Sequence, residues 1–356
     1  MAPVLRLPPI YLPVPDARHP DAATLNHRAE LWLNRQGLCN TQEQRDRLVR
    51  ARVGNLAAAM APYGALEPVQ LIADFMMWNI AFDDEFCDEG PLSRRPQELT
   101  DLLIQLQRTI EAPETPVSPG AVYHEALRDI RVRMDSYATP AQIARWVDEM
   151  RGWFMAEIWK AGNVARGVVP SLSDFLLQRL YSGGGLTIPV LASIAEDIQL
   201  TDHLRASRTL RAATEAAVLT GSAYTDLASY AKERHSGQGE HNLIDILQRD
   251  HNSTVDQAIT TAVTLLDRTM HLFLTLKQRL ERDASDDLAR YLRSLGSYIR
   301  AAVDWTLHST RYQYPHASAA QPAFTTSGWT DQPRTHDITP PPIPSIAWWW
   351  QVAGSP

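Results

Sequence analysis

From about residue 22 to residue 312, apolar residues recur at three- and four-residue spacing, as in Leu243, Ile244, Ile246 and Leu247. Alanine, arginine, glutamine and other good helix formers fill the positions between. This pattern predicts helices almost throughout. Breaks are punctuated by Gly90-Pro91, Ser118-Pro119-Gly120, Pro140, Gly183-Gly184-Gly185, and Gly237 with Gly239. Convincing alternation of the strand type is absent, as is any internal repeat. The ends read differently. Residues 1–21 are proline-rich and read as an extended strap lying on the body. Residues 313–356 are rich in Pro, Ser, Thr and Ala and read as a flexible tail. The run Trp348-Trp349-Trp350 offers the other reading, a tail pinned to the body or to a neighbouring subunit.

Two stretches break the simple amphipathic pattern. Residues 71–88 read LIADFMMWNIAFDDEFCD; their first part is apolar nearly all round, the mark of a buried helix. It runs into Asp83, Asp84, Glu85, Asp88 and Glu89 just before Gly90-Pro91. Acids at the carboxyl end of a helix oppose its dipole, at a cost of roughly 0.3–1 kcal/mol each. Something positive must offset them, and oxygen-only ligands suit a hard cation such as magnesium. On an α-helix Asp84 and Asp88 share a face, while Asp83 points about 100° away. The same cluster also reads as a solvated acidic loop. The preceding helix, with Phe75, Met76, Met77, Trp78 and Phe82, places it instead at the mouth of an apolar interior. The second stretch, residues 224–233, reads YTDLASYAKE. Thr225, Ser229 and Glu233 each fall about 40° round from the last and form one stripe of oxygens, with Lys232 close to Thr225 in angle. Taken alone, such a stripe also reads as a solvated helix face.

In combination these residues resemble the motifs of class I terpene synthases. The segment FDDEFCD resembles that family's aspartate-rich motif, with the third acid at Asp88 where the usual form would place it at Cys87. The longer form also occurs among microbial members. Residues 225–233 resemble the second magnesium motif, Asn-Asp-x-x-Ser-x-x-Lys-Glu: Asp226, Ser229, Lys232 and Glu233 match, and Thr225 replaces the asparagine. His241-Asn242-Leu243-Ile244 follows, as a similar stretch does in the family. Arg179, ahead of a break at Ser182-Gly183-Gly184, resembles the diphosphate-sensing arginine, although a surface arginine is the ordinary alternative. Gly183 then resembles the residue whose carbonyl faces the nascent cation, and Ser182 stands where an aspartate often links sensor and backbone. Arg311-Tyr312 resembles the C-terminal Arg-Tyr pair that hydrogen-bonds the diphosphate.

This resemblance implies an all-α, single-domain class I terpenoid synthase bundle over residues 22–312, built around a central apolar cavity. It implies a cyclase that ionises a prenyl diphosphate and closes the carbocation to a terpene hydrocarbon or alcohol. Farnesyl diphosphate is the favoured substrate; geranylgeranyl and (methylated) geranyl diphosphate are the alternatives. Three Mg2+ ions would be held by Asp83, Asp84, Asp88, Thr225, Ser229 and Glu233. Arg179, Lys232, Arg311 and Tyr312 would bind the diphosphate, with Gly183 acting through its carbonyl. Phe75, Trp78, Phe82, Trp153, Phe154 and Trp305 are candidates for the cavity wall, since aromatic faces stabilise a passing cation, and each reads equally as core packing. Antiparallel homodimers are frequent in the family. A chain-elongating prenyl transferase would carry a second aspartate-rich motif in place of the Thr225–Glu233 stripe. A non-catalytic helical binding protein would account for the departures at Cys87 and Thr225.

Composition narrows the setting. Hydrophobic residues make up 44% and charged residues 21%, and the formal net charge is -7, so the basic footprint of a nucleic-acid binder is missing. An anionic substrate must be held by a few placed cations or by metal. Cys39 and Cys87 form no CxxC pattern, and the proline-rich start suits no secretory leader, so a cytoplasmic protein is expected. The longest apolar run, residues 71–82, contains Asp74 and Asn79 and is too short to span a bilayer.

Overall fold

The computed structural model describes residues 4–118, 120–236, 241–313 and 323–354, without the side chains of Lys232, His235, Ser236 and Gln313. The expected helix stop at Gly237 and Gly239 and the ammonium of Lys232 lie outside the described residues. Helices form as the periodicity predicts, and the fold is all-α. They gather into two compact units interleaved along the chain. One comprises Ala17–Val168 with Tyr181–Ile198; the other comprises Met1–Asp16, Val169–Leu180 and Gln199–Pro356. Both lie largely within the span read as one helical body, and no shift in composition marks where the chain passes between them.

In the first unit the apolar stretch forms the helix Leu66–Phe82, and every residue from Pro68 to Phe82 is buried. Pro68 falls in the first turn, where its missing N–H removes no helical hydrogen bond. Helices Ala22–Gln36, Val53–Met60, Val122–Met134 and Thr187–Ala195 surround it. The longest helix of this unit, Pro140–Arg166, opens with a reciprocal capping box between Thr139 and Gln142 and closes at Gly167, which adopts φ 62°. Inside the core, Asp74 accepts from Gln70 at 2.9 Å and pairs with Arg133 at 2.8 Å.

In the second unit, helix Arg208–Ser236 packs against Val255–Glu281 and Asp286–His308. The two chain ends meet here. Strand Leu5–Leu7 pairs in parallel with Phe324–Thr326, and Ile10–Tyr11 pairs with Trp329–Thr330. The strap is thus an edge partner for the tail. Residues 323–354, which composition suggested would be flexible, end in the helix Pro344–Gly354, packed on Arg208–Ser236 and Val255–Glu281. Trp349 and Trp350 are buried and stacked, and the Trp349 indole donates to Glu215 at 2.8 Å. Arg334 donates to the buried Asp267 at 2.6 Å. Large apolar area concentrated in three residues overrides the disorder-promoting composition around it.

Trp349→Ala should lower the stability of this unit by about 3–5 kcal/mol, because it empties a closed site and removes the donor to one oxygen of Glu215, whose other oxygen stays with Arg211; denaturant unfolding measures it. Burial pushes the Asp74 carboxyl up from 3.8 to about 6, against the pull of Arg133. The folded form therefore binds that proton more tightly than the unfolded chain, and its contribution to stability is lost as pH rises between those values. Asp74→Asn should remove this slope from a profile of melting temperature against pH.

Candidate active site

The α-helix stops at Phe82, and the acids follow in a π-helical turn, Asp83–Asp88. The Glu89 amide donates to the Asp84 carbonyl at 3.0 Å, an i→i+5 bond, so the turn takes about one residue more than an α-turn. The turn depends on Gly90: a Cβ there would stand 1.7 Å from the Glu85 carbonyl oxygen. Residues five apart lie about 140° from each other on an α-helix. The wider turn carries Asp88 back round to Asp83.

That corrects the expected pairing of Asp84 with Asp88. Asp84 is buried and faces Arg47 at 3.4 Å, and Arg47 also holds Glu89 at 2.8 Å. Asp83 instead shares its side of the turn with Asp88 and with Glu157 and Lys160 of helix Pro140–Arg166. Ligand atoms of Asp83, Cys87 and Glu157 lie within 4.8 Å of one another, and the Lys160 ammonium pairs with Asp88. Burial pushes the Asp83 carboxyl well up, reinforced by the charges of Asp88 and Glu157. Burial works against the Lys160 ammonium, but Asp88, Glu157 and Asp83 together hold its pKa well above the usual lysine value. The carboxylate oxygens here are hard donors that fit a hard divalent cation. Cys87 does not: burial pushes its thiol up, which keeps it neutral.

The same helix reaches the glycine break. Gly183 adopts φ 63°, open to glycine at little cost. Its amide donates to Glu157 at 3.4 Å, and its carbonyl accepts from the Asn79 amide at 3.1 Å. The carbonyl expected to face a cation is therefore fixed by a partner on the buried helix. Phe75, Trp78, Phe82, Trp153 and Phe154 are all buried and pack on one another. Trp78 and Phe82 stack with centroids 4.9 Å apart, and Trp153 meets Phe75, Trp78 and Phe82 edge-on.

In the second unit Arg179 reaches the helix Arg208–Ser236. Its Nε donates to Asp226 at 2.9 Å, and its Nη2 donates to the Ser222 carbonyl at 2.9 Å and to the Thr225 hydroxyl. Burial disfavours the Arg179 charge, and Asp226, with Glu233 and Tyr312, more than offsets that. Thr225 gives its own proton to the Ser222 carbonyl at 2.6 Å, so its oxygen is engaged on both sides. Ser229 is buried and Glu233 half-buried. The fully buried Asn242 donates to Glu233 at 2.8 Å and to the Asp226 carbonyl at 2.8 Å. Its side-chain oxygen accepts from the Ile244 amide and caps helix Leu243–His251. Arg311 is buried, with its guanidinium 5.7 Å from the Tyr312 ring, and Tyr312 meets Trp305 edge-on at 5.5 Å.

The sequence profile described as "Terpene synthase family 2, C-terminal metal binding" matches residues 74–271. The chain is also 35% identical to the (+)-(1(10)E,4E,6S,7R)-germacradien-6-ol synthase of Streptomyces pratensis, over 98% of this chain and 97% of that one. The chain belongs to the terpene synthase family. It is a class I terpene synthase, an enzyme whose matched region is the family's metal-binding one. It is similar as well to the (+)-T-muurolol synthase ((2E,6E)-farnesyl diphosphate cyclizing) of Streptomyces clavuligerus, 34% identical over 96% of this chain and 81% of the relative. Among solved structures, the SVS_A2 protein from ancestral sequence reconstruction aligns with a TM-score of 0.84. Its identity is 33%, over 98% of this chain and 99% of that one. Among the described residues of the synthase, no helix is long and apolar enough to cross a membrane.

Sequence reasoning missed Arg47, Asn79, Glu157 and Lys160 as members of these clusters. Glu157 and Lys160 follow Trp153 and Phe154 at helical spacing, the one signal that could have flagged them. Because Asp84 faces Arg47, Asp84→Asn should leave the divalent-cation requirement of the synthase close to wild type. Asp83→Asn should raise the cation concentration needed for half-maximal turnover by about 10–100-fold. Titrating turnover with the cation measures both, and equal losses would count against the orientation of the turn.

Proposed function

We propose that the synthase is a magnesium-dependent sesquiterpene cyclase that ionises farnesyl diphosphate and closes the carbocation to a cyclic hydrocarbon or alcohol. The observation that carries this reading is its similarity, along nearly its whole length, to a synthase whose name states farnesyl diphosphate cyclization. The chemistry of the side chains supports it. In one unit Asp83 and Asp88 supply hard oxygens, and in the other Ser229 and Glu233 do, with Thr225 placed beside them. Three Mg2+ ions bound by these residues would supply electrophilic stabilisation of the departing diphosphate.

The chain's own groups have separate parts in that reading. Asp226 and Thr225 orient the Arg179 fork, whose planar donors suit a diphosphate oxygen better than a point charge would. Arg311, Tyr312 and Lys232 add donors to the same anion. Asn242 keeps Glu233 in one rotamer by holding one of its carboxylate oxygens. Asn79 fixes the Gly183 carbonyl, a dipole that stabilises developing positive charge when aimed at it. Phe75, Trp78, Phe82, Phe154 and Trp305 offer aromatic faces to the carbocation and exclude the water that would quench it.

Incubation of the purified synthase with Mg2+ and, separately, geranyl, farnesyl and geranylgeranyl diphosphate should give cyclic product from farnesyl diphosphate foremost, as read by gas chromatography and mass spectrometry. EDTA should stop it. Longer diphosphates in place of hydrocarbons would indicate a prenyl transferase. Asp83→Ala and Glu233→Ala should each abolish turnover while helical circular dichroism stays intact; wild-type-like rates in either would count against the assignment of metal ligands.

A further inference from the structure

Glu157 is 2% exposed, and its two oxygens are unequally used. Oε1 accepts from the Trp153 indole at 3.1 Å and from the Gly183 amide at 3.4 Å. Oε2 is buried and accepts no hydrogen bond among the described residues. A carboxylate oxygen withdrawn from water without a donor is costly, at roughly 1–3 kcal/mol or more, so a second partner is called for. The same carboxylate belongs to the group that brings ligand atoms of Asp83, Cys87 and Glu157 within 4.8 Å of one another.

We propose that Glu157 bridges the acidic turn to the glycine break: its free oxygen is a further donor to the divalent cation of Asp83 and Asp88, while the other oxygen holds the Gly183 amide N–H. The inference rests on the reading of Asp83 and Asp88 as cation ligands. Charge favours it. Among the described residues the acidic side chains of Asp83, Asp88 and Glu157 gather round the Lys160 ammonium, so acidic groups outnumber basic ones at this spot. Asp84 and Glu89 are held instead by Arg47.

Filling the cation site then has a second effect. A cation on one oxygen of Glu157 fixes the whole carboxylate, and with it the acceptor of the Gly183 amide. The Gly183 carbonyl is already held by Asn79 at 3.1 Å, so both main-chain polar groups of this residue have a partner. Metal loading then also steadies the residue that carries that carbonyl.

Glu157→Gln keeps an amide oxygen for Gly183 and Trp153 and removes the charge. With inorganic diphosphate at fixed concentration, the Mg2+ concentration giving half the maximal rise in melting temperature should increase about 10–100-fold in this variant. Its melting temperature without Mg2+ should be no lower than wild type, since a buried like charge has gone. Asn79→Ala should leave that Mg2+ midpoint in place. Hydrogen exchange at the Gly183 amide should slow on addition of Mg2+ and diphosphate in the wild type and not in Glu157→Gln. An unchanged midpoint in Glu157→Gln beside a shifted one in Asp83→Asn overturns this inference alone. No shift in either variant overturns the underlying assignment of the turn. If Glu157→Gln does not fold, Glu157→Asp, shorter by one methylene, is measured in its place; a midpoint like wild type would again overturn the bridge.

Discussion

Negative charge at the carboxyl end of a buried helix is the constraint around which the first unit is arranged. From Pro68 to Phe82 the helix has no solvated face, and it hands over to five acids where its own dipole is already negative. Each neighbour reflects that. Arg47 takes Asp84 and Glu89, Gln44 donates to Glu85 at 2.9 Å, and Lys160 takes Asp88. Asp83 is left facing two further carboxylates, with the same ammonium among them. An arrangement of this kind is unfavourable by itself and becomes favourable on gaining positive charge, which is what a cation site requires of its protein before the ion arrives.

The second unit meets the mirror-image problem, a cation withdrawn from water. Arg179 is fastened by Asp226, by a backbone carbonyl and by Thr225, so its planar head is fixed in orientation and its charge is secured. Removing one partner from such a buried pair leaves an uncompensated charge, the costly half of the exchange. Asn242 serves two tasks at once, starting the next helix and steadying Glu233, and so ties local folding to the placement of a functional oxygen.

Much of this could be read along the chain. The helical periodicity, the buried helix before the acids, the oxygen stripe at Thr225, Ser229 and Glu233, and the glycine break all appear in the structure where their patterns place them. What escaped reading has identifiable causes. Angular reasoning at 3.6 residues per turn joined Asp84 to Asp88, and one extra residue per turn was enough to reverse the pairing. Glu157 and Lys160 look like an ordinary exposed pair until a second helix packs over them, because their meaning lies in tertiary proximity. The tail misleads through averaging: proline and serine dominate its composition, while three tryptophans and Arg334 decide its position. The two units cannot be seen as units, since each is assembled from separated stretches of similar helical sequence.

The π-helical turn has a bearing beyond this chain. Such a turn differs from its α-helical counterpart by one residue, so a single-codon insertion or deletion is the natural step between the two. In this chain the extra position of F-D-D-x-x-x-D, with the glycine that admits the bulge, is what brings Asp83 and Asp88 to one side. A pattern search written with fixed spacing would pass over this protein, whereas one that allowed the extra position together with the glycine would find it.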